Sequence, residues 1–220
     1  MKTVVAIHTA MALVEPTKAL FAEHLPGHRI INIADESLIQ DVISNNGPTP
    51  AVRKRLMNYY HAAIDAGADV IYNTCSSIGD IAITARDYVN VPLVKIDDAM
   101  AKKAVKEFTT IGVLATLPTT LDPTMRLVQR FADELNKAVK LKSGLAIGAF
   151  EAVMSGDGET HDRIILETAL KLADKVEAFV LAQGSMARME STLITETGKP
   201  VLSSPLLGML SLKALVEEMG

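Results

Sequence analysis

Residues 68–80 read ADVIYNTCSSIGD, an apolar run that ends at Cys75 and passes through two serines toward a helical stretch. Val70, Ile71 and Tyr72 suit a buried strand, and the small residues that follow suit a strand-to-helix turn. The thiol therefore stands at a strand's carboxyl end beside a helix N-terminus, where backbone N–H groups and the helix dipole can lower a thiol pKa and hold an anion. The pattern returns 108 residues later in VEAFVLAQGSMAR (176–188), with Gln183 in the place of Cys75. One reactive side chain thus occupies a plan drawn for two.

Working outward, short β-rich runs alternate with helical periodicity along the whole chain. TVVAIHT (3–9), RIINIA (29–34), ADVIYNT (68–74) and PLVKI (92–96) read as strands of a first half. TTIGVLAT (109–116), LKSGLAIGAF (141–150), EAFVLAQ (177–183) and PVLSS (200–204) read as those of a second. Between them PTKALFAEHL (16–25), TPAVRKRLMNYYHAAIDAG (49–67), PTMRLVQRFADELNKA (123–138) and HDRIILETALKLADK (161–175) carry apolar residues at helical spacing. Such alternation predicts parallel sheets with helices on both faces.

Three anchors relate the halves. Thr9 with Glu15-Pro16-Thr17 matches Thr116 with Asp122-Pro123-Thr124 at an offset of 107, while Cys75/Gln183 and Pro92/Pro200 each differ by 108. Proline at a first helical position, with an acid before it, explains the repeated Glu/Asp-Pro-Thr. The expectation is an α/β chain of two pseudo-symmetric, Rossmann-like parallel-sheet domains from an internal duplication. The first covers 1–100, with a C-terminal helix at 205–220 packing back onto it, and the second covers 101–204. Ligands of such sheets bind beyond the carboxyl ends of the strands, so two facing copies would aim Thr9, Cys75, Thr116 and Gln183 into one cleft.

Composition narrows the function. The chain is 49% hydrophobic and 22% charged, enough apolar material for a packed core. A formal net charge of −4, without a basic stripe, argues against nucleic acid or an acidic membrane surface as partner. A single cysteine excludes an intramolecular disulfide and a cysteine-rich metal site. No stretch is apolar for long enough to span a bilayer, and Glu15-Pro16 follows the N-terminal apolar run where a cleavage site would be sought. A cytoplasmic protein is expected.

NTCSS, IGVLAT followed by Thr119 and Thr120, and VLAQGSMA together resemble the aspartate/glutamate/hydantoin racemase superfamily, and the likeness covers the whole chain. The resemblance implies a two-domain, cofactor-independent, metal-free isomerase whose substrate is a small carboxylic or amino acid held between two cysteines, one from each half. NTCSS resembles the first thiol motif. Thr116, Thr119 and Thr120 correspond to the segment that opens the second domain and binds a substrate carboxylate. VLAQGSMA resembles the second thiol motif of hydantoin-racemase-like members, where a Gly-Cys pair precedes Ala-Gly-Met-Ala; here the pair reads Ala182-Gln183. A homodimer is also implied, and Met57, Tyr59 and Tyr60, grouped on one helix, suit either a subunit contact or that helix's own sheet.

The candidate residues have ordinary readings as well. Cys75 can be a small buried hydrophobe or the base or nucleophile, and both of those roles require thiolate. Ser76, Ser77, Gly184 and Ser185 can cap helices or form two anion cradles suited to a carboxylate. Ser77 and Asp80 read as an S-x-x-D cap opening the next helix, and no basic residue is evident in either cradle. Thr116, Thr119 and Thr120 lie in a segment read as a loop around Pro118, where hydroxyls serve turns; Thr9 is the repeat partner of Thr116. His8 is either a satisfied structural histidine or the nearest second acid/base. His161 reads as part of a helix start, as do Asp97 and Asp98.

Gln183 can donate and accept hydrogen bonds but cannot exchange a proton near neutral pH. Three reactions fit one thiol. Cys75 can serve a racemase or epimerase, with His8 or water on the opposite face. It can run one-sided chemistry, protonating an enediolate after decarboxylation as the related arylmalonate decarboxylases do with a cysteine of the other half, or adding to a double bond as in maleate isomerase-like members. Without chemistry, the chain would be a carboxylate-binding protein.

Overall fold

The strand whose turn carries Cys75 lies at the centre of a four-stranded sheet. The computed structural model describes residues 1–220. β1 (Thr3–His8), β2 (Arg29–Ala34), β3 (Val70–Asn73) and β4 (Leu93–Lys95) are parallel, in the order β2-β1-β3-β4. Residues of alternate parity leave a strand on opposite faces, and the two faces are covered by different helices. Val5, Ile7 and Ile71 pack against α2 (Ser37–Ser44), α3 (Pro50–Asp65) and α4 (Gly79–Ala85), through Leu38, Val42, Leu56, Tyr60 and Ile81. Val4, Ala6, Val70 and Tyr72 pack against α1 (Val14–His24) through Phe21, and against the final helix (Ser204–Glu218) through Met209, Leu212 and Val216. These elements form one compact unit, Met1–Asp97 with Pro205–Gly220.

Asp98–Ser204 forms the other unit. Its strands β5 (Thr110–Ala115), β6 (Lys140–Leu145), β7 (Ala178–Leu181) and β8 (Val201–Leu202) are again parallel, in the equivalent order β6-β5-β7-β8. Its helices are α5 (Asp98–Glu107), α6 (Pro118–Glu134), α7 (Ala149–Met154), α8 (Gly158–Leu170) and α9 (Glu190–Thr197), so the final helix is α10. Leu114, Phe179 and Leu181 face α8 and α9 through Ile165, Ala169 and Leu193. Val113, Ala115 and Ala182 pack with Leu121 of α6. Two α/β units of one strand order in one chain, the second inserted before the last helix of the first, are the duplicated fold expected from the repeat.

Some boundaries differ from the sequence reading. α6 opens at Pro118, with Leu117 extended at its cap, so Thr119 and Thr120 occupy its first turn rather than a loop. Pro123 then lies inside the helix, and Pro16 is the third residue of α1; neither opens its helix. α4 opens at Gly79 with Ile78 at the cap, so Ser77 and Asp80 do not set its start. LKSGLAIGAF leaves the sheet after Leu145 and turns into α7. No helix is long and apolar enough to cross a membrane.

Candidate functional site

Cys75 has an extended backbone (φ −120°, ψ 119°) and precedes a single 3₁₀ turn, Ser76–Ile78, that leads into α4. Gln183 repeats this geometry (φ −123°, ψ 134°) ahead of the 3₁₀ turn Gly184–Met189. Both therefore stand just past the carboxyl ends of the third strand of their units, beside strands followed directly by Thr9 and Thr116. Side-chain chemistry separates them.

In the first unit the Thr9 hydroxyl and the backbone N–H groups of Ile78 and Ser77 hydrogen-bond to the Cys75 sulfur, each favouring thiolate. Burial is the larger influence and pushes the thiol up from its ordinary value, with the Asp97 carboxylate adding in the same direction. The lowering expected from a helix N-terminus is present but outweighed, because desolvation disfavours the charged form. Cys75 at rest is a thiol, partly exposed. Its backbone is held from behind: Tyr60 donates to Asn73 Oδ1 (3.1 Å), and Asn73 Nδ2 donates to the Cys75 carbonyl (2.9 Å).

His8 closes β1 and is fully buried. Its Nε2 donates to Asn32 Oδ1 at 2.9 Å, and its Nδ1 lies 3.1 Å from the Thr74 hydroxyl, whose single proton is shared between Nδ1 and the Ile7 carbonyl 3.0 Å away. Burial pulls its pKa down against the Asn32 hydrogen bond, so the ring is neutral near pH 7. Both ring nitrogens are engaged within the unit, the pattern of a structural histidine rather than of a free acid. At the end of β2, Asp35 accepts from Ser37 and from Tyr59 (2.8 Å) and faces Arg55 at 3.2 Å. Burial opposes this carboxylate, but those hydrogen bonds and the guanidinium hold its pKa low. Tyr59 and Tyr60 are thus both engaged inside the unit.

In the second unit Gln183 folds back on its neighbouring strand. Its Oε1 accepts the Thr116 N–H and its Nε2 donates to the Thr116 hydroxyl, each at 2.7 Å. Thr9–Cys75 and Thr116–Gln183 are therefore equivalent pairs, but the amide takes the Thr116 N–H and donates to its hydroxyl, whose own proton is not used by Gln183. Thr116 and Thr120 are buried, the Thr119 hydroxyl has no hydrogen-bond partner, and Ser185 is exposed. The structure brings His8, Thr9, Cys75, Ser76 and Ser77 to one sheet end, and Thr116, Gln183, Gly184 and Ser185 to the other. His161 is buried in α8, bound to Asp162 (2.7 Å) and facing Arg188 (3.1 Å); Asp157 caps that helix. No three His, Cys, Asp or Glu side chains are grouped to hold a metal ion.

Two groups near Cys75 escaped the sequence reading. Asn73 read as an ordinary strand residue, although an amide closing a buried strand was a signal. Lys95, inside the strand run PLVKI, is buried and ion-paired with Asp97 at 3.3 Å. Asp97 directly precedes α5, which opens at Asp98, so it stands at a helix start as well as beside Lys95; a Lys inside an apolar strand was the available clue.

The Asp/Glu/Hydantoin racemase family model matches residues 3–210. No curated protein matches the chain in sequence. Among solved structures, glutamate racemase from Francisella tularensis in complex with D-glutamate is 15% identical with a TM-score of 0.78, over 99% of this chain and 82% of that one. Allantoin racemase from Klebsiella pneumoniae is 19% identical with a TM-score of 0.72, over 100% and 89%. Aspartate racemase from Picrophilus torridus is 16% identical with a TM-score of 0.70, over 97% and 95%. At these identities the likeness is one of fold.

Proposed function

This chain belongs to the Asp/Glu/Hydantoin racemase family, and with it to the racemase-type isomerases; from that premise we propose that it moves a proton at a carbon of a small carboxylic or amino acid through Cys75 alone. The observation that carries the reading is the contrast between the two strand ends. Three donors converge on the Cys75 sulfur, whereas Gln183, in the same backbone geometry, is closed on Thr116 and has no proton to exchange.

In this reading Cys75 is the acid and base, and the catalytic share of Gln183 is to present its amide, locked, to the substrate. Deprotonated, the sulfur takes the hydrogen on the carbon beside the substrate carboxylate, and the electron pair passes into that carboxylate as an enediolate. Thr9 and the N–H groups of Ser77 and Ile78 hold the thiolate while it exists. Return of the proton from Cys75 restores the starting hand, so inversion requires a proton from water on the opposite face. Ser76, Ser77, Thr116, Thr119, Thr120, Gly184 and Ser185 are the proposed carboxylate binders, through hydroxyl and N–H groups. His8 is assigned to holding β1 against β3 through Thr74. The D-glutamate bound by the Francisella protein supports a carboxylate substrate.

A second reading is favoured by one feature of the site: burial pushes the Cys75 thiol up from its ordinary value, toward the protonated form. A one-cysteine lyase needs that form, because after carbon dioxide leaves, the S–H gives its proton to the enediolate carbon. One experiment separates the readings. The protein is incubated in deuterium oxide with amino dicarboxylates, hydantoin-type rings, and hydroxy and keto acids, beside Cys75→Ala. Deuterium entering the substrate carbon without loss of material, reduced at least about 1,000-fold by Cys75→Ala, is the expected result. Release of carbon dioxide would select the lyase, and saturable binding with neither outcome would leave a carboxylate-binding protein. A homodimer belongs to the same proposal. It would use the apolar groove between α3 and α4, lined by Met57, Ile81 and Tyr88, and sedimentation equilibrium tests it.

A further inference from the structure

The first sheet contains one ion pair that stability does not explain. Lys95 Nζ lies 3.3 Å from Asp97 Oδ1, and both side chains are 2% exposed. Removing an ammonium and a carboxylate from water costs more than their attraction returns unless every remaining site is hydrogen-bonded, and apolar side chains of similar size commonly serve a core as well. Here Asp97 Oδ1 has no hydrogen-bond donor; its contact with Lys95 is one of charge.

The position of the pair ties it to the thiol. Lys95 is the register partner of Asn73 across β3 and β4, and the ladder continues with Ile96 N–H donating to the Asn73 carbonyl at 2.9 Å. Cys75 and Asp97 each lie two residues beyond that rung, on adjacent strands. Lys95 also lies against Gly79, where a Cβ would stand 2.8 Å from both Cε and Nζ. The ammonium therefore lies under the first turn of α4, directly after the N–H groups that serve the sulfur. Other titratable or charged residues come from each neighbouring element: His8 from β1, Tyr72 from β3, Tyr60 from α3, Asp80 from α4, Arg86 directly after it, and Asp98 at the start of α5. His8 is neutral, and burial holds Tyr60 protonated. Arg86 donates to the Leu93 carbonyl at 3.0 Å.

We propose that Lys95 and Asp97 are positioning residues for Cys75, the carboxylate favouring the neutral thiol and the ammonium offsetting it, so that the pair adjusts the pH at which the site becomes nucleophilic. This rests on the reading of Cys75 as the working group. The Coulomb influence of Asp97 on the thiol has the required direction and is smaller than that of burial and of the three donors.

The test is the pH profile of Cys75 alkylation by iodoacetamide in the full chain. Asp97→Asn is expected to move the midpoint to lower pH and to speed labelling at pH 7.5 about tenfold. Lys95→Met is expected to move it higher and slow labelling by a similar factor. The double variant, which leaves no buried charge unpaired, is expected to label within about threefold of wild type. The limiting rate at high pH should be unchanged throughout, which separates a charge effect from a loosened turn. Should Lys95→Met fail to fold, Asp97→Asn and the double variant carry the test. Singles that shift the midpoint in the same direction, or not at all, overturn the proposal. A reactive wild-type thiol, protected by a small acid, with unmoved midpoints overturns this proposal alone. A wild-type thiol that labels at no pH overturns the reading beneath it as well.

Discussion

Gln183 and Thr116 exchange two hydrogen bonds of 2.7 Å across 67 residues of chain. Gln183→Ala would leave a buried backbone N–H and a hydroxyl without partners, which costs about 1–3 kcal/mol each when no water replaces them. Urea unfolding of that variant should show a loss of roughly 2 kcal/mol, and Gln183→Glu, which retains an acceptor for the N–H, should lose less. His8 supplies a prediction in pH. Burial lowers its folded pKa below the ordinary 6.5, so the unfolded chain binds the proton more readily. Its contribution is intact above pH 6.5 and is lost as pH falls through the folded value. Denaturation between pH 5 and 8 should show that slope, and His8→Gln should flatten it.

At the scale of elements, α10 meets the first sheet without clearance. A Cβ on Gly208 would lie 2.3 Å from the Ile96 carbonyl oxygen and 2.7 Å from the Tyr72 hydroxyl. Backbone cannot yield as a flexible side chain does, so Gly208→Ala is expected to cost about 3 kcal/mol, measured as a drop in melting temperature, whereas an alanine on the exposed face at Leu210 should cost under about 1 kcal/mol. Most elements were legible in sequence: RIINIA matches β2 from Arg29 to Ala34, because three β-branched isoleucines in six residues favour extended backbone. The start of α6 was not. Asp122-Pro123-Thr124 has the composition of a helix start, but Pro118 offers an earlier one, and the packing of Leu121 with Val113 and Ala115 holds the extra turn.

At the scale of the whole molecule, the first unit is discontinuous, using Pro205–Gly220 together with Met1–Asp97. Met209, Leu212 and Val216 of α10 share a core with Val4, Ala6 and Tyr72. Each such side chain contributes about 1.5–3 kcal/mol on burial, so a chain ending at Ser204 should expose that sheet face. Binding of a hydrophobic dye and loss of the most cooperative unfolding transition are the expected readouts. Repetition of one plan, visible as offsets of 107 and 108 residues, determined the α/β class, the two copies and the equivalence of Thr9 with Thr116 and of Cys75 with Gln183. Those are properties of local order and period, which a sequence states directly. The closure of Gln183 on Thr116, the burial that outweighs the donors at the Cys75 thiol, and the Lys95–Asp97 pair beneath Gly79 were decided only by the tertiary structure. Desolvation and hydrogen-bond partners depend on which distant strands and helices meet, and no window of sequence contains that.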